Sequence, residues 1–178
     1  CWFREGTVLH GGTIRHAVVG ALCRLHGEIS TCVFHDYTNK SHDGFLGHSV
    51  LGSWVNLGAG TITSNLKNTY GEVQLDAAGT ALTTGRMMLG SLIGDHAKTA
   101  IGTLLSTGTI VGAGANHIGA VRAAKYTAPF TRGDDGTRCD VEHFVKVAKR
   151  VLPRRDVAVD DATEATLRAM HARLTAGS

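Results

Sequence analysis

Aliphatic residues return every six positions along much of the chain. From residue 93 it reads IGDHAK, TAIGTL, LSTGTI, VGAGAN, which puts Ile93, Thr99, Leu105 and Val111 first in each six. The fifth place is small every time: Ala97, Thr103, Thr109, Ala115. LGSWVN and LGAGTI repeat the rule with Leu51 and Leu57, then Val55 and Thr61, and Phe45 with Ser49 extends it one six upstream. A period of six matches neither the 3.6 of a helix nor the two of a strand. Six-residue sides meeting at sharp corners predict a triangular coil of about 18 residues, stacked as short parallel strands about 4.8 Å apart. The first-position aliphatics then fill the interior, and Gly52, Gly58, Gly94 and Gly112 at second positions are expected to free the backbone for the corners. Upstream of residue 45 the register is looser, and the length allows roughly six coils over 1–120.

Two segments depart from the repeat. Residues 64–88 interrupt it, and VQLDAAGTALTTG predicts two alternating strands turning at Ala78-Gly79, an excursion on one face of the scaffold. Beyond residue 120 the spacing becomes helical. Val141, Phe144, Val145, Ala148 and Val151 line one face, with Asp140 as N-cap and Pro153 as the stop. A second helix is expected to open with Asp161 and Glu164 in capping-box spacing and to present Leu167, Met170 and Leu174. The expected organisation is thus a solenoid over 1–120, with the 64–88 insertion, and a linker with two helices over 121–178.

Composition divides at the same place. Residues 1–120 hold 20 of the 23 glycines and no proline, while Pro129 and Pro153 fall in the remainder. The net charge of +3 is too weak and too dispersed for electrostatic binding of nucleic acid. No apolar run approaches the roughly 18 residues of a membrane span, and no signal-peptide pattern opens the chain. Cys1, Cys23, Cys32 and Cys139 form no CxxC pair or disulfide framework, which predicts a reduced, cytoplasmic setting. A chain that begins at Cys1 rather than Met is expected to be a fragment or a trimmed piece.

The densest polar segment is Tyr37-Thr38-Asn39-Lys40-Ser41-His42-Asp43-Gly44-Phe45, followed by Asn56 and by Ser64-Asn65-Leu66-Lys67-Asn68. Successive coils bring these stretches to one side, so His42 and the Asn65 loop can approach each other, particularly across subunits. An imidazole with a pKa near 6.5 is the natural general base at neutral pH, and neighbouring asparagines and a lysine can orient an amine or a phosphate. The basic cluster Lys149, Arg150, Arg154 and Arg155 is expected first of all to suit a helix C-terminus, with a phosphate or partner contact as the alternative.

The stretch HDGFLGHSVLGSWVNLGAGTITSNLKN resembles the acetyltransferase half of the bifunctional UDP-N-acetylglucosamine diphosphorylase/glucosamine-1-phosphate N-acetyltransferases. It carries that family's His three residues before an aromatic and its VN(I/L)GAGT(I/T)T run ending in Asn. The tail AKYTAPFTRGDDG with KRVLPRR is similar to the variant branch of bacteria and archaea. The resemblance implies an all-β fold, a left-handed parallel β-helix of hexapeptide repeats with a C-terminal helical appendage, assembled as a homotrimer. It implies acetyl transfer from acetyl-CoA to the amino group of a hexosamine 1-phosphate, with no metal, no nucleic acid and no membrane partner.

On that resemblance His42 is the catalytic base. Asn56 and Asn65 hold the sugar and acetyl-CoA, and Ala59 offers a backbone contact to the acetyl group. Phe45 replaces the Tyr of many members, so the hydroxyl facing the sugar phosphate is missing. Lys67 and Arg86 lie where the family places phosphate-binding cations. His48, one repeat beyond His42, has no role in the motif. Two other classes fit parts of the pattern: a non-catalytic trimerisation domain for a nucleotidylyltransferase whose Gly-rich loop this chain lacks, and a zinc enzyme on the same solenoid, for which His42 and His48 give no three-His set.

Overall fold

The structure is a computed structural model describing residues 1–133 and 135–176. The chain winds as a parallel β-solenoid with three walls. On the first wall Trp2–Phe3, Val18–Val19, Val33–Phe34, Val50–Leu51, Leu92–Ile93, Ile110–Val111 and Tyr126–Thr127 form one parallel sheet of seven strands. The second wall stacks Val8–Leu9, Arg24–Leu25 and Asn39–Lys40, continues by the bridges Asn39 to Asn56 and Asn56 to Lys98, and reaches Asn116–His117. The third holds Thr13–Arg15, Glu28–Ser30, Phe45–Gly47, Ile62–Thr63 and Leu104–Leu105. The first-wall ladder runs through Tyr126–Thr127, beyond the residue at which composition changes.

The period of six corresponds to the interior column. Leu51, Leu57, Ile93, Thr99, Leu105 and Val111 are all buried, as are the small fifth residues, none of which exceeds 1% exposure. Upstream, the interior passes through Val19, Leu25, Ile29, Phe34, Lys40, Leu46 and Leu51, and the steps fall to four or five residues at some corners. Coils of 15 to 17 residues result, against 18 between Ile93 and Val111. Thr31 and His48 make this shortening possible by turning with positive φ. One consequence corrects the expected register: Leu46, not Phe45, points inward, because the corner at His48 uses one residue fewer than six.

The second-position glycines do not serve as corner hinges. None of Gly52, Gly58, Gly94 and Gly112 has positive φ. A Cβ at any of them would instead lie within 2.6 Å of the next coil, against Asp95, Ala100, Ala113 or Pro129. They are small so that coils can stack at strand spacing. At the corner after the first wall, where Gly52, Gly94 and Gly112 lie, the left-handed residues come two places later, and most carry side chains: Leu22, Tyr37, Trp54, His96 and Phe130.

Those side chains build a ladder. Tyr37 stacks on Trp54 with ring centroids 4.1 Å apart, and Trp54 lies parallel to His96 at 6.2 Å. Gly114 continues the column, and its missing Cβ leaves room for the Phe130 ring, which would otherwise stand 2.3 Å away. The ladder receives the C-terminal helices. Helix α1, Val141–Val151, sets Phe144 edge-on to both His96 and Phe130. Helix α2, Asp161–Thr175, adds Leu167, Met170 and Leu174 to the same cluster.

Asp140 caps α1 as expected, accepting from the His143 amide. The cap of α2 is Asp160 rather than Asp161, with its carboxylate on the Thr163 amide at 2.8 Å. Pro153 lies in a 3₁₀ turn, Leu152–Arg155, that closes α1 and ends at Asp156 with φ +57°. The interruption at 64–88 contains the expected hairpin. Gln74–Ala77 pairs antiparallel with Thr80–Thr83 across Ala78 and Gly79, both at positive φ, as a tight primed turn requires.

Candidate active site

His42 sits on the corner between the second and third walls, and its side chain is exposed. Its backbone is fastened from beneath by Lys40, whose side chain enters the solenoid where other coils carry Leu25 and Leu57. The Lys40 ammonium donates to the carbonyls of His26, at 3.1 Å, and of His42. Burial lowers its pKa. This lysine is therefore an internal tie for the His42 loop and is not presented to a ligand.

A groove of about 370 Å³ opens beside His42, lined by Asn39, Asn56, Leu57, Gly58, Ala59 and Arg24, with Arg154 and Arg155 arriving from the C-terminal region. Two hydrogen bonds set the amides. Arg155 Nη2 donates to Asn39 Oδ1 at 2.8 Å, and Asn39 Nδ2 donates to Asn56 Oδ1 at 3.2 Å. Each bond fixes which end of the next carboxamide is free, and the relay leaves Asn56 Nδ2 as a donor for a bound molecule. In the Gly58-Ala59-Gly60 turn, the Gly58 amide donates to the Thr99 carbonyl and the Gly60 amide to the Asp43 carbonyl. Among the described residues the Ala59 N–H has no such partner, so it is the turn's remaining donor.

The other residues singled out in the sequence lie elsewhere on the single chain. The Phe45 ring runs over Gly47, close to the Asn65 carboxamide. Asn65 Nδ2 meets His48 Nδ1 at 2.7 Å. His48, to which the sequence motif gave no role, therefore positions Asn65. Lys67 faces a separate open groove of about 540 Å³ on the third wall with Arg122, its ammonium bonded to the Glu72 carbonyl. Arg86 is exposed beyond the hairpin. Within one chain, then, His42, Asn56 and Ala59 share a groove, and Phe45, Asn65, Lys67 and Arg86 do not line it.

Arg154 and Arg155 are the residues whose position sequence reasoning left open. They are carried to the second wall by the docking of Phe144 on the corner ladder, a tertiary event. Burial, with Arg24 and Arg154 nearby, lowers the pKa of Arg155. Cysteine chemistry plays no part in the core: burial pushes the Cys23 and Cys32 thiols up to about 11, so neither is a thiolate near neutral pH. Among the described residues no three His, Cys, Asp or Glu side chains gather as a metal site, and no helix is long and apolar enough to cross a membrane.

Fold and groove together define a class: a hexapeptide-repeat β-solenoid with an appended helical pair, presenting a histidine, an asparagine and a free backbone donor along one corner. No family model matches the chain. It is 35% identical over 86 residues to the bifunctional sugar-1-phosphate nucleotidylyltransferase/acetyltransferase of Sulfurisphaera tokodaii, covering 48% of this chain and 21% of that protein. It is 36% identical over 85 residues to the bifunctional protein GlmU of Methanococcus vannielii, covering 48% and 20%. With the GlmU of Trichormus variabilis it shares 46% identity over 52 residues, covering 28% and 12%. The matches thus span about a fifth or less of these relatives' length. Over those stretches the chain is homologous to bifunctional sugar-1-phosphate nucleotidylyltransferase/acetyltransferases, and its solenoid fits the acetyltransferase half of such proteins.

Proposed function

We propose that the chain transfers acetyl from acetyl-CoA to the amino group of glucosamine 1-phosphate or a related hexosamine 1-phosphate, in the cytoplasm, as a homotrimer. The observation that carries this reading is the groove in which exposed His42 faces Asn56 and the unpartnered Ala59 N–H. His42 takes a proton from the sugar ammonium, and the freed amine attacks the thioester carbonyl carbon. The Ala59 N–H donates to the oxyanion that forms. Collapse of the tetrahedral intermediate breaks the C–S bond and releases the CoA thiolate, and the second proton shed by the former amine nitrogen neutralises it. General-base help of this kind contributes about 10²–10⁴-fold, and the thioester needs no covalent enzyme intermediate.

Trimer formation is supported by the outer column of the first wall. Trp2, Val18, Val33 and Val50 are 57, 48, 39 and 41% exposed, one above another on a parallel sheet. A flat apolar column of this kind suits burial against another subunit. A neighbouring subunit is also what would bring Phe45 and Asn65 of one chain toward His42 of another. The deciding assay follows thiol release from acetyl-CoA with glucosamine 1-phosphate and, in parallel, galactosamine 1-phosphate. Amine-dependent thiol release that vanishes in His42→Ala supports the reading. A folded trimer that releases no thiol with either sugar overturns it in favour of a scaffold role.

A further inference from the structure

We propose that Arg24, Arg154 and Arg155 form a phosphate-binding subsite beside His42, completed within the same chain when the C-terminal helices dock on the solenoid. Arg24 rises from the second wall, one coil below Asn39. Arg154 and Arg155 descend from the 3₁₀ turn that ends α1. All three line one groove, and a second cavity of about 240 Å³, walled by Asn39, Asn56 and Lys98, adjoins it at the two C-terminal arginines. Among the described residues, no aspartate or glutamate lines either space.

The cations of the helical region that hold structure together are paired with acids. Lys149 meets Glu164, and Arg168 meets both Glu142 and Glu164. Arg24, Arg154 and Arg155 have no carboxylate partner among the described residues. A helix-end role accounts for only one bond, from Arg155 Nη1 to the Arg154 carbonyl. The other fork of the guanidinium crosses to Asn39, and the Arg155 Nε is enclosed without an acceptor. Like charges held together in a groove, with an enclosed N–H left over, call for an anion carrying several acceptor oxygens. Arginine forks suit the tetrahedral oxygens of a phosphate monoester.

The proposal rests on the acetyl-transfer reading only for which phosphate is meant, that of the sugar or those of CoA. The test uses the full chain at fixed ionic strength and measures heat of binding for three probes: glucosamine 1-phosphate, glucosamine, and adenosine 3′,5′-bisphosphate. The unsubstituted chain is expected to bind at least one phosphate-bearing probe about tenfold or more tightly than glucosamine. Arg154→Gln and Arg155→Gln should each weaken that probe by about tenfold, as loss of a charge-assisted bond implies. Lys149→Gln, at a residue that pairs with Glu164 and lines neither cavity, should leave it unchanged. Loss confined to glucosamine 1-phosphate assigns the subsite to the sugar, and loss confined to the bisphosphate assigns it to CoA; either result supports it. Equal binding by Arg154→Gln, Arg155→Gln and the unsubstituted chain, all with the same Tm, overturns the subsite. Phosphate binding that persists in a chain with no thiol release overturns the acetyl-transfer reading and leaves the subsite standing.

Discussion

Lowering the pH should undock the C-terminal helices through one imidazole. His96 lies between Trp54 and the edge of Phe144, is 8% exposed, and has its pKa lowered to about 4 by burial, with Lys98 adding to the effect and Asp95 opposing it. The folded state therefore holds this side chain neutral, while the unfolded chain protonates it near 6.5. The stabilisation is complete above pH 6.5 and is lost progressively as pH falls from 6.5 toward 4, where the unfolded state binds the extra proton. Two and a half units correspond to about 3 kcal/mol at the lower end, from 1.36 kcal/mol per unit. For a chain of this size that is roughly 6–12 °C in Tm. The assay is thermal unfolding between pH 7 and 4.5, comparing the unsubstituted chain with His96→Phe, which keeps a stacked ring and removes the titration. The difference between the two curves should be flat above pH 7 and grow steadily below 6.5. A difference that stays flat down to pH 4.5 refutes the argument, since a buried imidazole on this ladder cannot then be what resists protonation.

Other outcomes follow from the same geometry. Ala97→Leu, at a position with no exposure, overpacks the coil and should cost about 1–3 kcal/mol, read as a lower Tm. On the proposed mechanism, His42→Ala should lower kcat in the thiol-release assay by about 10²-fold or more with little change in the KM for acetyl-CoA, because that mechanism assigns the imidazole to the amine. On the proposed trimer, the double change Val33→Glu and Val50→Glu, on the outer column of the first wall, should shift light scattering toward the monomer while far-UV circular dichroism keeps its β signal.

The repeat itself was legible in the amino-acid order. Six-residue spacing from Leu51 and again from Ile93 reflects a local demand, one interior side chain per wall, so sequence periodicity and burial coincide there. The hairpin at Ala78-Gly79 and the Asp140 cap were equally local and equally readable. His42, Asn56 and Ala59 were grouped by the family resemblance, and one groove holds all three.

What the tertiary structure alone decided depends on which coil lies against which. The inward place of Leu46 and the burial of Lys40 follow from corners that shorten a coil by one to three residues, a choice made by stacking and invisible in a single strand. The glycines at second positions looked like hinges and are spacers, since their constraint is the neighbouring coil and not their own φ. His48 meets Asn65 across 17 residues, and Arg155 reaches Asn39 across 116. No periodicity encodes those contacts. They exist because a ladder of side chains at left-handed corners offers Phe144 a surface, and the docked helix then sets two arginines beside the histidine. A sequence specifies each wall by its own hydrophobic pattern, but the meeting of distant polar groups is settled only when the packed coils fix the distances between them.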